Sequence, residues 1–217
     1  AGRSTGTSGS GQDAGPWFAW VHVFDPHAPY QPPPPFDTQY AGKPYYGEVA
    51  ATDAALAPLL DEVRNSARPT LVIVTSDHGE GLGDHGEEAH GIFAYESTLR
   101  VPLIVASLGG QPAASEAARQ GEVSQVAARH VDILPTILDA VGQPVPDALP
   151  GRTLLPRKER QAGAAPRTTY FEAMSGMLNN GWAPLAGVIV DRDKFIDLPI
   201  AERFDLAADP AERSNLY

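Results

Sequence analysis

Residues able to bind a metal and move protons are concentrated in one stretch, TLVIVTSDHGEGLGDHGEEAHG, which covers residues 70–91. A β-branched apolar run, residues 71–74, is followed almost at once by Asp77 and His78. A carboxylate oxygen beside an imidazole nitrogen suits a divalent cation such as Zn²⁺ or Mn²⁺, although two ligands do not complete its coordination shell. We therefore predict a metal site at Asp77 and His78, with further ligands supplied from elsewhere.

The loop after this pair is rich in glycine and carries two more imidazoles, His85 and His90. Glycine permits positive φ angles and lets a backbone come close to a ligand. The loop contains five glycines in thirteen residues: Gly79, Gly81, Gly83, Gly86 and Gly91. The alternative is that Asp77 caps a turn and the histidines are ordinary surface residues.

A second candidate cluster is HVFDPHAP, in which His27 lies between Pro26 and Pro29. Prolines stiffen the loop, so His27 is well placed to present a cation to an anionic group. The alternative is that His27 is a plain turn residue. His22 falls inside an apolar run, so we expect it in the core or hydrogen-bonded to a site residue.

The elements that would position these side chains follow from apolar patterning. Residues 17–23, 71–74 and 101–106 are apolar on both parities, which is typical of strands covered on both faces of a parallel sheet. Residues 48–63 have helical spacing with a kink expected at Pro58, and residues 133–141 predict a helix capped by Asp132 and ended by Gly142. Ligands bind at the carboxyl edge of such sheets, where Asp77 and His78 would lie.

The last third of the chain has a different pattern. The strand-like pieces TTYFEA, LAGVIV and KFIDL lie close together without long helices between them, which predicts a small antiparallel subdomain. The predicted fold is α/β, with a central, mostly parallel sheet flanked by helices. We assign residues 1–15 to a flexible lead-in, 16–156 to the α/β domain and 166–217 to a C-terminal α+β subdomain.

Composition limits the partners. The 217 residues carry a net charge of −11, which argues against a nucleic-acid binder and means that an anionic substrate needs a metal ion or focused cations. The absence of cysteine excludes disulfides and a cysteine nucleophile within this chain. No apolar run approaches the roughly 20 residues of a membrane span, so we expect no transmembrane segment in this chain.

Several motifs in order resemble the sulfatases of the alkaline phosphatase superfamily. They are FAWVHVFDPHAPY, YYGEVAATDAAL, SDHGEGLGDHGEEAHGIFAYESTLRVPLIV, HVDILPTILDAVG, PGRTLLP and RFDLAADPAERSNLY. The resemblance runs from about residue 16 to residue 217. It implies an alkaline phosphatase-like α/β fold and an ester hydrolase.

The resemblance also implies roles for single residues. Asp77 and His78 match metal ligands, His27 matches a histidine that contacts sulfate or phosphate oxygens, and His90 matches a residue that touches the same group or the leaving-group oxygen. We therefore expect His27 and His90 to be the catalytic and substrate-binding residues. Asp84, His85 and His22 are expected to support the ligands through hydrogen bonds, and Asp53, Asp132 and Glu172 to act as caps and packing partners.

The family's nucleophile motif, Cys/Ser-x-Pro-x-Arg, is absent, so the chain resembles the C-terminal portion of such an enzyme. The implied cofactor is a divalent ion, Ca²⁺, Mn²⁺ or Zn²⁺, and a formylglycine nucleophile would lie outside this chain. One Asp-His pair under-coordinates an ion, so we expect the chain alone to be inactive.

The resulting expectation is a hydrolase of sulfate esters. Two alternatives remain open: a phosphodiester or phosphonate monoester hydrolase or phosphoethanolamine transferase, and a non-catalytic module that binds an anion or metal. Expected partners are small-molecule, saccharide or lipid sulfate or phosphate esters, with an oligomer left open. The resemblance favours a periplasmic or extracytoplasmic location.

Overall fold

A computed structural model describes residues 15–110, 121–124, 126–155 and 167–217. The chain forms two compact units, Ala1–Pro58 and Leu59–Tyr217. Most of the predicted lead-in and all of the connector between residues 156 and 166 lie outside the described residues. The domain division drawn from the sequence therefore stays a prediction.

The first unit begins with an extended segment that forms no strand. The buried strand predicted for residues 17–23 is wrong for the structure described: Trp17, Phe18 and Trp20 are 54%, 73% and 82% exposed. Apolar side chains indicate what a segment can bury, but a strand also needs a neighbour to pair with its amides. Among the described residues, no strand pairs with this segment.

Two helices follow, α1 at Phe36–Gln39 and α2 at Pro44–Asn65. Helix α2 contains the predicted residues 48–63 and extends beyond both ends of that prediction. Its first residue is Pro44, whose fixed φ suits the first helical position and whose missing amide costs nothing there. Pro58, the residue at which the sequence predicts a kink, lies inside the helix.

The second unit opens with a two-stranded sheet. Strand β1, Thr70–Thr75, pairs with β2, Leu103–Leu108, and Thr70 lies opposite Leu108. The pairing is antiparallel, so the mostly parallel central sheet is not found among the described strands. Apolar residues on both parities favour a strand covered on both faces, but the direction of a strand depends on the distant segment that pairs with it, and Ile104 of β2 is 55% exposed here. The loop between the strands contains the short helix α3, Glu96–Leu99.

Helix α4, Ile133–Ala140, confirms the helix predicted for residues 133–141 to within one residue. Gly142 follows with φ of 69°, the left-handed conformation that ends helices. Asp132 occupies the N-cap position of α4 as predicted, but its side chain makes no cap hydrogen bond to that helix. Asp132 ends a 3₁₀ turn, His130–Asp132, and its fully buried carboxylate accepts hydrogen bonds from the Arg167 guanidinium at 2.6 and 3.1 Å.

The predicted C-terminal antiparallel sheet is confirmed. Four strands run in chain order, β3 Thr168–Ala173, β4 Leu185–Val190, β5 Asp193–Asp197 and β6 Glu202–Asp205. Helix α5, Ser175–Asn180, connects β3 to β4. The core of this unit contains Phe171, Leu185, Ile196 and Phe204 from the sheet, and Ala94 and Tyr95 from the loop that carries the candidate site.

Candidate active site

The pair predicted to bind metal lies just beyond β1 with its ligand atoms close together. Asp77 Oδ2 and His78 Nε2 are 3.6 Å apart, and their side chains are 82% and 42% exposed. His78 Nδ1 lies 2.9 Å from the carbonyl oxygen of Gly79. If Nδ1 carries the proton and donates it to that carbonyl, Nε2 is left with its lone pair, which is the form that binds a metal.

His90 lies beside this pair. The rings of His78 and His90 have centroids 3.9 Å apart. His90 Nδ1 is 3.1 Å from Glu80 Oε1, and the Glu80 side chain is only 4% exposed. A buried carboxylate thus fixes the orientation of His90, an arrangement that the sequence did not suggest.

Two glycines explain how the loop after His78 folds so tightly. The Gly79 amide donates to the Thr98 carbonyl at 2.8 Å, and a Cβ at position 79 would collide with the carbonyl of Ser97. The Gly81 amide donates to the Ala89 carbonyl at 2.6 Å. Here glycine permits close approach to the loop's own backbone, whereas the sequence had suggested approach to a ligand.

Asp84 and His85 connect the site loop to Glu212 and Arg213 near the end of the sequence. His85 Nδ1 is 2.9 Å from Asp84 Oδ2, and His85 Nε2 is 2.9 Å from the carbonyl of Glu212. The His85 ring stacks on Tyr95 at 3.6 Å. Burial would raise the pKa of Asp84, but hydrogen bonds from His85 and Ser97 and the charge of Arg213 lower it overall. Both nitrogens of His85 thus contact groups other than the proposed ligands, and its support of those ligands stays a prediction.

His27 belongs to the first unit, on the proline-rich loop that precedes α1. The His27 amide donates to Glu48 Oε2 at 3.0 Å and the Gln31 amide donates to Glu48 Oε1 at 2.5 Å. Glu48, on α2, is 3% exposed. Its buried carboxylate therefore gathers the proline-rich loop around His27. His22 is exposed, so the core position considered for it is not found, while its hydrogen-bonding role stays a prediction.

His90 lies on the border of two clefts in the second unit. One cleft of about 250 Å³ contains His78 and His90 and is closed by residues of the C-terminal subdomain, among them Glu172. The other, of about 370 Å³, is lined by His90, Phe93 and Trp182, together with residues 86–89. We call the first the histidine cleft and the second the Trp182 cleft.

Three residues at or near the site had no functional role in the sequence interpretation. His130 Nε2 lies 2.8 Å from the carbonyl of Ser76, next to Asp77. Glu172 had been interpreted as a packing residue and Trp182 had no assignment. They come from segments about 50–110 residues further along the chain, and no local motif marks them, so only the fold brings them to the loop.

The ligand set fits part of a metal site. Ligand distances of about 2.0–2.2 Å allow one ion to contact two atoms that are 3.6 Å apart, such as Asp77 Oδ2 and His78 Nε2. Within the described parts of the chain, no group of three or more His, Cys, Asp or Glu side chains is placed to hold a metal. The pair therefore provides two ligands, and a complete shell needs others.

An aspartate and a histidine just beyond a strand, with a second histidine against them, are groups that could contact a divalent ion and move protons. The chain belongs to the sulfatase family, whose family model, Sulfatase, matches residues 8–143.

Three relatives illustrate the similarity. N-acetylglucosamine-6-O-sulfatase of Bacteroides thetaiotaomicron is 28% identical over 183 residues, which are 80% of this chain and 31% of that protein. The structure of BT4656 in complex with its substrate D-glucosamine-2-N,6-O-disulfate matches with a TM-score of 0.63 at 28% identity, covering 82% of this chain and 37% of that one.

A third match is the phosphonate monoester hydrolase of Agrobacterium radiobacter, with a TM-score of 0.55 at 25% identity, covering 81% of this chain and 36% of that one. These likenesses support the alkaline phosphatase-like fold of the family. The chain spans about a third of the length of the relatives it matches. In the described residues, no helix is both long and apolar enough to cross a bilayer.

Proposed function

We propose that this chain is part of a hydrolase of sulfate esters. The observation that carries the proposal is the grouping at the end of β1, where Asp77 Oδ2 lies 3.6 Å from His78 Nε2 and the His90 ring lies 3.9 Å from the His78 ring. Membership of the sulfatase family supports the same reaction class.

In this proposal Asp77 and His78 hold a divalent ion, Ca²⁺, Mn²⁺ or Zn²⁺. The ion would supply Lewis-acid stabilisation of negative charge and of the attacking group. The nucleophile, proposed to be a formylglycine or a hydroxyl side chain, would be contributed by sequence outside this chain.

His90 is the proposed group that interacts with the leaving oxygen. Glu80 lies against its Nδ1, and Nε2 is the atom proposed to address the substrate. In the imidazolium form, with Nδ1–H donated to Glu80, the Nε2 proton would pass to the alkoxide that develops as the ester bond breaks and leave a neutral imidazole. His27, held by Glu48, is proposed to contact the oxygens of the transferred group.

The test is hydrolysis of 4-nitrophenyl sulfate by the protein extended upstream and by the 217-residue chain, with Mn²⁺, Zn²⁺ or Ca²⁺. We expect activity only in the extended protein, reduced about 10²- to 10⁴-fold in kcat by His90→Ala, the usual size of an acid–base contribution. The control is Glu62→Ala, because Glu62 is exposed on α2 and has no assigned role. Metal-dependent binding without any turnover by the extended protein would instead support a non-catalytic module.

A second candidate is cleavage of phosphonate or phosphate diesters, favoured by the likeness to a phosphonate monoester hydrolase. Bis(4-nitrophenyl) phosphate and a phenylphosphonate monoester distinguish it in the same assay. A higher kcat/KM on either than on the aryl sulfate would replace the sulfate assignment. We also retain the proposal of an extracytoplasmic location, which secretion of a reporter fused to the extended protein would test.

A further inference from the structure

The Trp182 cleft adjoins the proposed site directly. His90 lines both clefts, so a group attached to the leaving oxygen in the histidine cleft has the Trp182 cleft as its neighbour. The cleft volume of about 370 Å³ falls in the range of about 300–1,000 Å³ that is usual for small-molecule sites.

The Trp182 side chain packs against α5 on one side and is exposed on the other. Its amide donates to the Gly176 carbonyl at 3.2 Å, and a Cβ added to Gly176 would lie 3.1 Å from Trp182 Cε3. The indole therefore lies close to the backbone of α5 at Gly176, where an added Cβ would make a tight contact with it. Despite this packing, 55% of Trp182 stays exposed. A large aromatic surface held in a cleft beside a reactive site is typical of ligand contact.

The other wall of the cleft is acidic. Glu87 is buried and its carboxylate accepts hydrogen bonds from the amides of Ile92 and Phe93, at 2.7 Å for Ile92. Glu88 lines the same cleft and is exposed. An ionised carboxylate accepts hydrogen bonds but cannot donate them. Glu87 and Glu88 therefore suit a ligand with hydroxyl donors and repel a second negative charge on that ligand.

We propose that the Trp182 cleft binds the organic part of the ester, and that this part is an uncharged pyranoside ring. Such a ring has a face of C–H bonds that packs on an indole and a rim of hydroxyls that donate to carboxylates. A plain aryl group would lack the donors, and a uronate would face Glu88. Trp182 is then a specificity-determining residue. The inference rests on the proposed function, since it places the ring next to His90.

The test is calorimetric binding by the 217-residue chain of three probes: D-glucose 6-sulfate, D-glucose and inorganic sulfate. Trp182→Leu keeps an apolar side chain over Gly176 but removes the aromatic face. We expect it to weaken binding of D-glucose 6-sulfate about two- to tenfold, from the usual strength of aromatic stacking, and to leave inorganic sulfate unchanged. Trp182→Phe should stay within about twofold of the original chain.

Trp20→Leu is the matched control, because Trp20 is also exposed but belongs to the other unit. The inference is overturned if Trp182→Leu binds D-glucose 6-sulfate as tightly as the original chain does. It is also overturned if the original chain binds neither sugar, or if Trp182→Leu weakens sulfate and sugar sulfate equally. Failure of the proposed function gives a different result. In that case inorganic sulfate is not bound and D-glucose 6-sulfate binds no better than D-glucose, while the binding of both sugars still depends on Trp182.

Discussion

At the scale of single residues, a buried carboxylate lies against each candidate histidine, at the ring of His90 and at the backbone of His27. Glu80 accepts a hydrogen bond at His90 Nδ1, and Glu48 accepts from the backbone of the His27 loop. A buried carboxylate is costly unless its oxygens are hydrogen-bonded. Glu80 therefore orients the His90 ring, whereas Glu48 orients the backbone of the loop that carries His27.

Glu80→Leu should release the ring of His90. We expect the Nδ1–H signal of His90 in nitrogen-15 histidine spectra to lose its hydrogen-bonded shift, because its acceptor is gone. Glu80→Gln retains an acceptor oxygen and should preserve the signal. An unchanged spectrum in Glu80→Leu would mean that Glu80 does not set the His90 tautomer.

Asp77→Ala should remove one of the two proposed metal ligands. We expect the affinity for Mn²⁺, measured by calorimetry on the chain, to fall at least about tenfold, since loss even of a group that merely supports a ligand often costs that much. Asp53→Ala is the control, because Asp53 is exposed on α2. Equal Mn²⁺ affinity in Asp77→Ala and the original chain would remove Asp77 from the site.

At the scale of elements, the sequence predicts the bounds of helices and strands, because these depend on neighbouring residues. Helix α4 and strands β3, β4 and β5 were predicted nearly to the residue, because periodicity and turn residues are local signals. The direction of β1 against β2 and the pairing of residues 17–23 depend on which distant segment lies alongside. The Asp132 side chain likewise binds Arg167, 35 positions away, a choice that no local pattern reveals.

The Asp132–Arg167 pair joins the start of α4 to β3, so Asp132→Asn should be strongly destabilising. Asp132 is fully buried and the Arg167 side chain is 16% exposed, and breaking such a pair costs about 3 kcal/mol of unfolding free energy. Urea unfolding at pH 7 measures it. Asp193→Asn is the control, because the Asp193–Arg203 pair is exposed and should matter little.

The same pair predicts a pH dependence. Burial would raise the pKa of Asp132, but Arg167 and the amides of Arg152 and Arg129 outweigh it and lower the pKa. A lowered folded-state pKa stabilises the protein above the unfolded value of about 3.9, and this contribution is lost as pH falls through the folded value. The difference in stability between the original chain and Asp132→Asn should therefore be constant from pH 5 to 7 and shrink below about pH 4.

At the scale of the second unit, Glu212 near the end of the sequence contacts the loop that carries the candidate site. Glu212 is 3% exposed, lies 2.5 Å from Lys194 Nζ, and accepts the Glu96 amide at 2.6 Å. Its backbone carbonyl meets His85 Nε2. Lys194 is fully buried and also lies over the Phe171 ring at 5.2 Å. The terminal segment, the C-terminal sheet and the site loop therefore share one buried charge cluster.

Glu212→Ala should loosen the site loop as well as the tail. It leaves the buried Lys194 ammonium without its nearest partner, which costs about 3–5 kcal/mol of unfolding free energy, and it frees the tail that holds His85. We expect faster hydrogen exchange at the amides of Gly83 and Glu96, measured by NMR, with Glu62→Ala as an exposed control. If exchange accelerates only in residues 206–217, the tail is a separate element and the loop keeps its geometry through β1 and the core around Tyr95 alone.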